Sequence, residues 1–171
     1  MELTSEHLVL KPVSRADAPI LHAMWTSAGG RRYLWDDEII PASQTAEIIE
    51  RSEALFMNSG FGLWLARQRD NDQAVGYGGY WYFRTPPELE LLYGVDEAYW
   101  NLGYATEIGR MLLDYGFNRL KFNAVTASTD VANQASVHVM QKLKMSFKAQ
   151  LSVGGLETIY YEIQRDDWLV P

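Results

Sequence analysis

The chain has 171 residues, of which 47% are hydrophobic and 22% charged, as in one soluble globular domain with a substantial core. It has no cysteine, which excludes disulfides, a cysteine nucleophile and zinc–thiolate sites. The net charge of −7 argues against general nucleic-acid binding, and no apolar run is long enough to span a bilayer. The first residues also lack the basic flank and apolar core of a signal peptide. We therefore expect a single cytoplasmic domain over residues 1–171, with no metal and no nucleic-acid or membrane partner.

The N-terminal part of the chain predicts a strand followed by a helix. Residues 6–13 alternate apolar and polar side chains, as a strand with one buried face does. The spacing Ser14-x-x-Asp17 resembles a capping box, so we expect a helix from about Arg15 to Ser27. The pair Gly29–Gly30 is expected to end that helix.

A second helix and a β-hairpin are predicted next. Ser43 is expected to cap a helix that runs to about Asn58 and closes at Gly60. Residues 61–69 and 74–83 form two strands around a turn at 70–72, and Pro86–Pro87 is expected to stop the second one. Three glycines in that second strand indicate a bulge or a close backbone approach, at Gly76, Gly78 and Gly79.

The C-terminal half predicts two strands joined by a helix, and then a helix and a hairpin. The elements are strand 88–95, helix 105–119, strand 122–129, helix 131–144, and a closing hairpin of strands 147–153 and 157–164. Because a helix crosses between the first two strands, parallel pairing is expected. With the N-terminal elements this gives an α/β (α+β) protein, whose mixed, mostly antiparallel sheet has about seven strands flanked by about four helices.

One stretch leads from the strand at 88–95 through a glycine-containing turn into the longest helical pattern. Such a junction leaves unpaired backbone N–H groups at the helix start, which form a site for phosphate groups. The stretch Trp100-Asn-Leu-Gly-Tyr-Ala-Thr-Glu107 resembles motif A of the GCN5-related N-acetyltransferases, the GNAT family. It is similar to the subgroup of ribosomal-protein N-terminal acetyltransferases. The resemblance covers essentially the whole chain and implies a GNAT fold, with a bulge near Gly94 that splays the two central parallel strands.

The resemblance also implies that acetyl-CoA is the co-substrate and that the motif grips its pyrophosphate. The residues expected to bind it are Tyr93, Val95, Asn101, Leu102, Gly103, Tyr104, Ala105, Thr106 and Asn133. Two of them depart from the subgroup, since Asn101 replaces a glycine and Leu102 replaces a basic residue. Asn101 must then adopt the turn geometry, which Asn tolerates better than most residues, and a cation near the phosphates is lost.

A second motif, Asn133-Gln-Ala-Ser136-Val-His138-Val-Met-Gln-Lys142-Leu, resembles another signature of the subgroup. Asn133 and Ser136 are three residues apart and therefore lie on the same side of a helix. The resemblance implies that Asn133 hydrogen-bonds the pantetheine arm and that Ser136 supports or protonates the leaving thiolate. The alternative is a plain helix start with a tolerated small polar residue. His138 replaces the usual arginine, which removes a second cation.

Acetyl transfer to an amine needs a base, because a free amine is mostly protonated at neutral pH. Glu90 matches the family's strand glutamate and is the expected base, acting through water, with Glu88 as the nearest substitute. The alternative for Glu90 is a structural ion pair on a sheet face. A backbone N–H, most simply that of Val95, is expected to hold the carbonyl oxygen. Because the chain has no cysteine, we expect direct attack in a ternary complex.

The acceptor is expected to be an amine, either a peptide N-terminus or a small molecule. Its candidate pocket residues are Tyr33, Trp35, Trp81 and Glu88, although Tyr33 and Trp35 could equally pack their loop onto the core. The loops at 33–41 and 84–88 are expected to set acceptor specificity. A second hypothesis is a catalytically weak acyl-CoA-binding module, motivated by the departures at positions 101, 102 and 138. Assembly into a homodimer is left open.

Overall fold

The computed structural model describes residues 1–83 and 88–168, so the predicted strand stop at Pro86–Pro87 lies outside the described residues. Within them, eight strands form one sheet: β1 Leu3–Thr4, β2 Leu8–Pro12, β3 Leu63–Gln68, β4 Ala74–Phe83, β5 Glu88–Val95, β6 Ala124–Asp130, β7 Ser146–Val153 and β8 Leu156–Gln164. The α-helices of the same residues are α1 Ala18–Thr26, α2 Ala28–Leu34, α3 Ala42–Ser59, α4 Tyr104–Asn118, α5 Gln134–Lys142 and α6 Arg165–Trp168. No helix in this part of the chain is both long enough and apolar enough to cross a membrane.

The sheet is mixed and mostly antiparallel, as predicted. Its order is β1-β2-β3-β4-β5-β6-β8-β7, and β5–β6 is the parallel pair. Glu90↔Thr126 is the one pair that joins β5 to β6 in the described residues, so the two strands part toward their carboxyl ends. This separation is the predicted splay.

The predicted bulge near Gly94 is wrong. The register of β4 with β5 is unbroken from Phe83↔Glu88 to Gly76↔Val95. A Cβ at Gly94 would lie 2.4 Å from atoms of the Tyr77 side chain, so glycine is needed there to admit that side chain. The strands therefore part because pairing stops, while β5 itself stays regular.

The sheet separates two apolar layers. One contains Leu91, Val125 and the buried face of α4, and the other packs the opposite sheet face against α1 and α3. α4 therefore packs a wide apolar face against the sheet. A Cβ at Gly78 would lie 2.7 Å from Ile108 of α4, which confirms the close approach that the β4 glycines indicated.

The N-terminal helices differ most from the sequence prediction. The Ser27 side chain accepts a hydrogen bond from the Gly30 N–H (3.0 Å) and so starts a new helix, α2. The pair Gly29–Gly30 therefore lies inside α2, where it was expected to end the preceding helix. Similarly, Pro41 rather than Ser43 is the residue before α3, whereas Gly60 closes α3 in the left-handed conformation, as predicted.

Candidate active site

The start of α4 presents unpaired main-chain donors. Gly103 precedes the helix with φ +83°, and no side chain of the described residues caps this end. The Glu107 N–H donates to the Gly103 carbonyl (3.1 Å), so the amides of Tyr104, Ala105 and Thr106 lack intrahelical partners. A Cβ at Gly103 would meet no atom within 4 Å, so the space beside this turn is open. Open space, free donors and the positive end of the helix dipole together suit a phosphate group.

This anion cradle is made by the main chain rather than by side chains. The Tyr104 hydroxyl accepts a hydrogen bond from the Gln68 amide (2.9 Å), so its side chain is engaged with β3. The Thr106 side chain is buried. At the helix start, the group that each predicted co-substrate residue offers to a ligand is therefore its backbone amide.

The turn before α4 has the geometry that its sequence requires. Asn101 adopts φ +63°, the left-handed conformation expected of a residue that replaces glycine. The Trp100 indole N–H donates to the Val95 carbonyl (2.7 Å) and ties the turn to the end of β5. Leu102 is 58% exposed, so the position where the subgroup carries a cation lies at the surface.

The end of β5 directs one backbone amide toward the gap between the parallel strands. The Asp96 N–H donates to the Val75 carbonyl of β4 (2.9 Å). Backbone groups alternate in direction along an antiparallel ladder, so the Val95 N–H points the other way, toward β6. Because pairing with β6 ends at Glu90↔Thr126, this amide faces the open part of the gap.

A hydroxyl pair lies on the α4–α5 side of the gap. The Tyr93 hydroxyl is 3.1 Å from the Ser136 Oγ and 3.2 Å from the Ser136 carbonyl oxygen. Burial raises the pKa of Tyr93 to about 12, against the opposing effect of its hydrogen bond with Ser136. Tyr93 is therefore a neutral phenol at physiological pH and can orient or donate a proton to its neighbour.

Asn133 holds the start of α5, on which Ser136 lies. Its Oδ1 accepts a hydrogen bond from the Ser136 N–H (3.3 Å), and its Nδ2 donates to the Thr129 hydroxyl (3.0 Å). Asn133 is thus the helix start that the structural alternative described, and it also fixes the position of Ser136. α5 begins at Gln134 rather than at Val131, because β6 continues to Asp130.

Glu90 lies on the other face of the sheet. It is 2% exposed, and the Ser128 hydroxyl donates to its Oε2 (2.5 Å) across the gap. Ser128 was not predicted from the sequence, although the alternation of β6 residues places it on the same face as Glu90 once the register is known. Glu88, the predicted substitute base, is exposed at the start of β5 and lies farther from the open end of the gap.

Alternation along β5 thus puts the two candidate chemical groups on opposite faces. Glu90 faces the α1–α3 layer, whereas Tyr93, an odd number of residues away, contacts α5 on the other side. The gap between β5 and β6 connects the two faces. An acyl group that enters from the Ser136 side can therefore be met by a nucleophile that arrives from the Glu90 side.

The Glu90 face also has negative charge at its edge. Asp130 is the last residue of β6. It lies two residues after Ser128 and therefore on the same face of the sheet. Burial, together with the nearby Asp36 carboxylate, raises the pKa of Asp130. This arrangement favours the approach of a cationic amine over that of an anion. Within the described residues, no cluster of three or more His, Asp or Glu side chains is placed to hold a metal ion.

The structure brings together two of the four predicted pocket residues. Trp35 and Trp81 are half-buried and line the same cleft on the α1–α3 side. Trp35 also packs edge-on against Trp25, with ring centroids 6.0 Å apart, so the packing role considered for it is present, while the acceptor role stays a prediction. Tyr33 instead donates a long hydrogen bond to the Ala132 carbonyl (3.5 Å), and Glu88 does not line this cleft.

A parallel strand pair that parts toward its carboxyl ends, with an uncapped helix start beside it, is the arrangement expected from the resemblance to the N-acetyltransferases. Comparison with known proteins agrees. The family model described as "Acetyltransferase (GNAT) domain" matches residues 7–146, which is well over half of the chain. The chain belongs to this family, and it is therefore an acyltransferase whose family uses acetyl-CoA.

Individual relatives are distant in sequence and close in fold. The YkkB protein of Bacillus subtilis is 28% identical over 121 residues, which is 70% of each chain. The solved acetyltransferase of Agrobacterium tumefaciens superposes with a TM-score of 0.83 at 19% identity, covering 96% of this chain and 94% of that one. RimL, a ribosomal L7/L12 alpha-N-protein acetyltransferase solved in complex with coenzyme A, superposes with a TM-score of 0.82 at 16% identity, covering 98% and 99%. At these identities the two solved structures show a shared fold.

Proposed function

We propose that the chain moves the acetyl group of acetyl-CoA to a primary amine by direct attack in a ternary complex. The observation that carries this proposal is the placement of Glu90 and the Tyr93–Ser136 pair on opposite faces of one gap. Acetyl-CoA lies with its pyrophosphate at the amides of residues 104–106 and its thioester in the gap. The amine enters from the Glu90 face.

Each step then has a group of this chain beside it. Glu90, through a bridging water, accepts a proton from the amine, whose nitrogen attacks the thioester carbonyl carbon. The Val95 N–H stabilises the negative charge that develops on the carbonyl oxygen. As the new carbon–nitrogen bond forms and the carbon–sulfur bond breaks, the Ser136 hydroxyl stabilises or protonates the leaving thiolate. Tyr93 keeps that hydroxyl in position, 3.1 Å from its own oxygen.

The test has a binding part and a turnover part. Thermal shift with acetyl-CoA measures binding, and thiol release with a panel of small amines and peptides measures turnover. The peptides belong in the panel because RimL acts on a protein N-terminus. Glu90→Gln should lower kcat about a hundredfold, the usual scale of a general base, and leave the Kd of acetyl-CoA unchanged.

Two further variants sharpen that test. Ser128→Ala should lower kcat by about tenfold. A hydrogen bond to a charged group contributes roughly 1.5–3 kcal/mol, and part of that free energy holds Glu90 in position. Glu88→Gln is the control, since Glu88 is exposed on the same strand face and should leave kcat unchanged. An unchanged rate in Glu90→Gln would remove Glu90 from the mechanism.

The second hypothesis, a binding module with little catalysis, is favoured by the two missing cations. Leu102 and His138 both stand at exposed positions near the co-substrate site. Acetyl-CoA binding without turnover on any amine or peptide would support this hypothesis. Absence of acetyl-CoA binding would contradict both hypotheses.

A further inference from the structure

A cleft on the α1–α3 side of the sheet is separate from the co-substrate groups. Its volume is about 550 Å³, within the range of small-molecule sites. Trp35 forms one wall and Trp81 of β4 another, and the first turns of α3 contribute Gln44, Ile48 and Arg51. Two indole rings and an isoleucine give the cleft an apolar part, which suits a flat apolar group, and the rest of its lining is polar.

This cleft adjoins the proposed base. Trp81 pairs directly with Glu90 in the antiparallel register of β4 and β5, so both side chains project from the same sheet face. Side chains paired in this way have Cβ atoms about 5 Å apart. A ligand in the cleft therefore lies on the sheet face from which Glu90 projects, although Glu90 itself is buried and does not line the cleft.

Arg51 places a cation over the Trp81 ring. Its guanidinium carbon lies 4.7 Å from the ring centroid, a cation–π contact that holds the group in place. In residues 1–83 and 88–168, Arg51 forms no ion pair and no side-chain hydrogen bond. Its neighbour in α3, Glu50, instead pairs with Arg15. A stacked guanidinium keeps its N–H edge free, and that edge binds a carboxylate with two parallel hydrogen bonds.

One carboxylate also lines the cleft and adds a negative charge to it. Glu47 is one helical turn before Arg51, is exposed to solvent and forms no ion pair with it. Arg51 is exposed as well, so water and salt screen both charges, but its guanidinium is also held against the Trp81 ring. Of the two charges, the cation is therefore the one with a defined position in the cleft.

We propose that this cleft binds the acceptor, and that the acceptor is a small amine with a flat apolar body and a carboxylate at its far end. The inference rests on the proposed function and deepens it. The amine lies at Glu90, the body lies between Trp35 and Trp81, and the carboxylate binds Arg51. Arg51 is a specificity-determining residue and takes no part in the bond changes.

The experiment compares two amines that differ in charge at one end, para-(aminomethyl)benzoate and para-methylbenzylamine. For the unchanged chain, kcat/KM should favour the carboxylate by about tenfold, the scale of one charge-assisted contact. Arg51→Met, which keeps an unbranched side chain on Trp81, should abolish that preference by lowering only the rate with the carboxylate. Arg51→Glu should reverse it and favour an amine with a cationic far end. Arg110→Met, an exposed arginine on α4 outside the cleft, is the control and should keep the preference.

Calorimetric titration of para-(aminomethyl)benzoate in the presence of coenzyme A gives a second readout that does not depend on turnover. Equal rates with both amines, or a preference that survives in Arg51→Met, would overturn the inference while acetyl transfer stands. Faster acetylation of a peptide N-terminus than of either small amine would also overturn it. If no acceptor is acetylated, yet the titration shows binding that Arg51→Met abolishes, the proposed function fails and the cleft remains a binding site for this class of molecule.

Discussion

At the scale of single residues, the contact between Tyr93 and Ser136 has a measurable consequence. The two hydroxyls are 3.1 Å apart, and burial keeps Tyr93 protonated by raising its pKa to about 12. If they act as one unit on the leaving thiolate, Tyr93→Phe and Ser136→Ala should each lower kcat by about tenfold, the scale of one hydrogen bond. The double variant should lose little more than either single one. Single-turnover rates for the four proteins measure this coupling, and fully additive losses would mean that the hydroxyls act separately.

Single residues also show what a sequence can and cannot specify. Asn101 was expected in a left-handed turn, and it adopts φ +63°, because that requirement is local to the motif. Ser128 was missed because its contact with Glu90 joins residues 38 positions apart on neighbouring strands. Arg51 was missed for the same reason, since its partner Trp81 lies on a different element. Local geometry was predictable, whereas contacts set by sheet register were not.

At the scale of elements, the turn into α4 can be tested with a matched pair of glycines. Gly103 has φ +83°, and Gly155, in the β7–β8 turn, has φ +86°. A Cβ added at either position would meet no atom within 4 Å. Changing either to alanine should cost about 1 kcal/mol of unfolding free energy, because only the backbone conformation is penalised. In Gly103→Ala the new methyl group also occupies the open space beside the free amides, so acetyl-CoA binding should weaken by about tenfold. Denaturant unfolding and calorimetry measure both effects, and equal acetyl-CoA affinity in the two variants would contradict the anion cradle.

The same turn predicts a gain of affinity. Leu102 is 58% exposed beside the α4 start, where a basic residue would attract phosphate. Leu102→Lys should tighten acetyl-CoA binding by about fivefold at low salt, the equivalent of about 1 kcal/mol, and added salt should remove the gain. Leu156→Lys, at a 42% exposed leucine in the closing hairpin, is the control and should leave affinity unchanged. Weaker binding in Leu102→Lys would mean that this side chain faces away from the phosphates.

The N-terminal strands are tied to α4 by a pH-dependent contact. His7 donates to the Glu107 carboxylate (3.0 Å), which raises the pKa of His7 above 6.5. Burial tends to raise the pKa of Glu107, but hydrogen bonds from Ser5 and His7 outweigh it and lower that pKa. The stabilisation from a raised histidine pKa is present below 6.5 and is lost as the pH rises through the folded-state pKa. His7→Gln should therefore destabilise the protein more at about pH 5.5 than at about pH 8.5.

The measurement is the unfolding free energy of both proteins at the two pH values, with an NMR titration of His7. Glu107→Gln is the control, and in it the pKa of His7 should return toward 6.5. Glu6 and Asp70 also raise this pKa, so the return should be incomplete. A His7 pKa at or below its ordinary value in the unchanged chain would contradict the contact.

Elements with strong periodicity were predicted closely, and those set by packing were not. β4 and β5 have the bounds that alternation gave, and α4 begins one residue early. α2 was missed because Gly29–Gly30 looks like a helix stop, yet a Cβ at Gly29 would lie 2.6 Å from the Trp100 ring and one at Gly30 would lie 1.9 Å from the Met24 carbonyl oxygen. The glycines are there for close packing, a reason that no local pattern shows.

At the scale of the whole molecule, the proposed mechanism divides the reaction between the two faces of the sheet. In that mechanism acetyl-CoA and the amine occupy separate sides of the β5–β6 gap, and the chain has no cysteine to carry the acetyl group between them. Both substrates must therefore be bound together, so initial-rate plots at several fixed amine concentrations should intersect rather than run parallel. Mass spectrometry of the protein after acetyl-CoA alone should show no covalent acetyl group, with an amine-containing sample as the control for turnover. Direct transfer would be contradicted by parallel plots together with an acetylated protein that passes its acetyl group to the amine. That outcome would require a nucleophile in the gap, and Ser136 would be the first residue to replace.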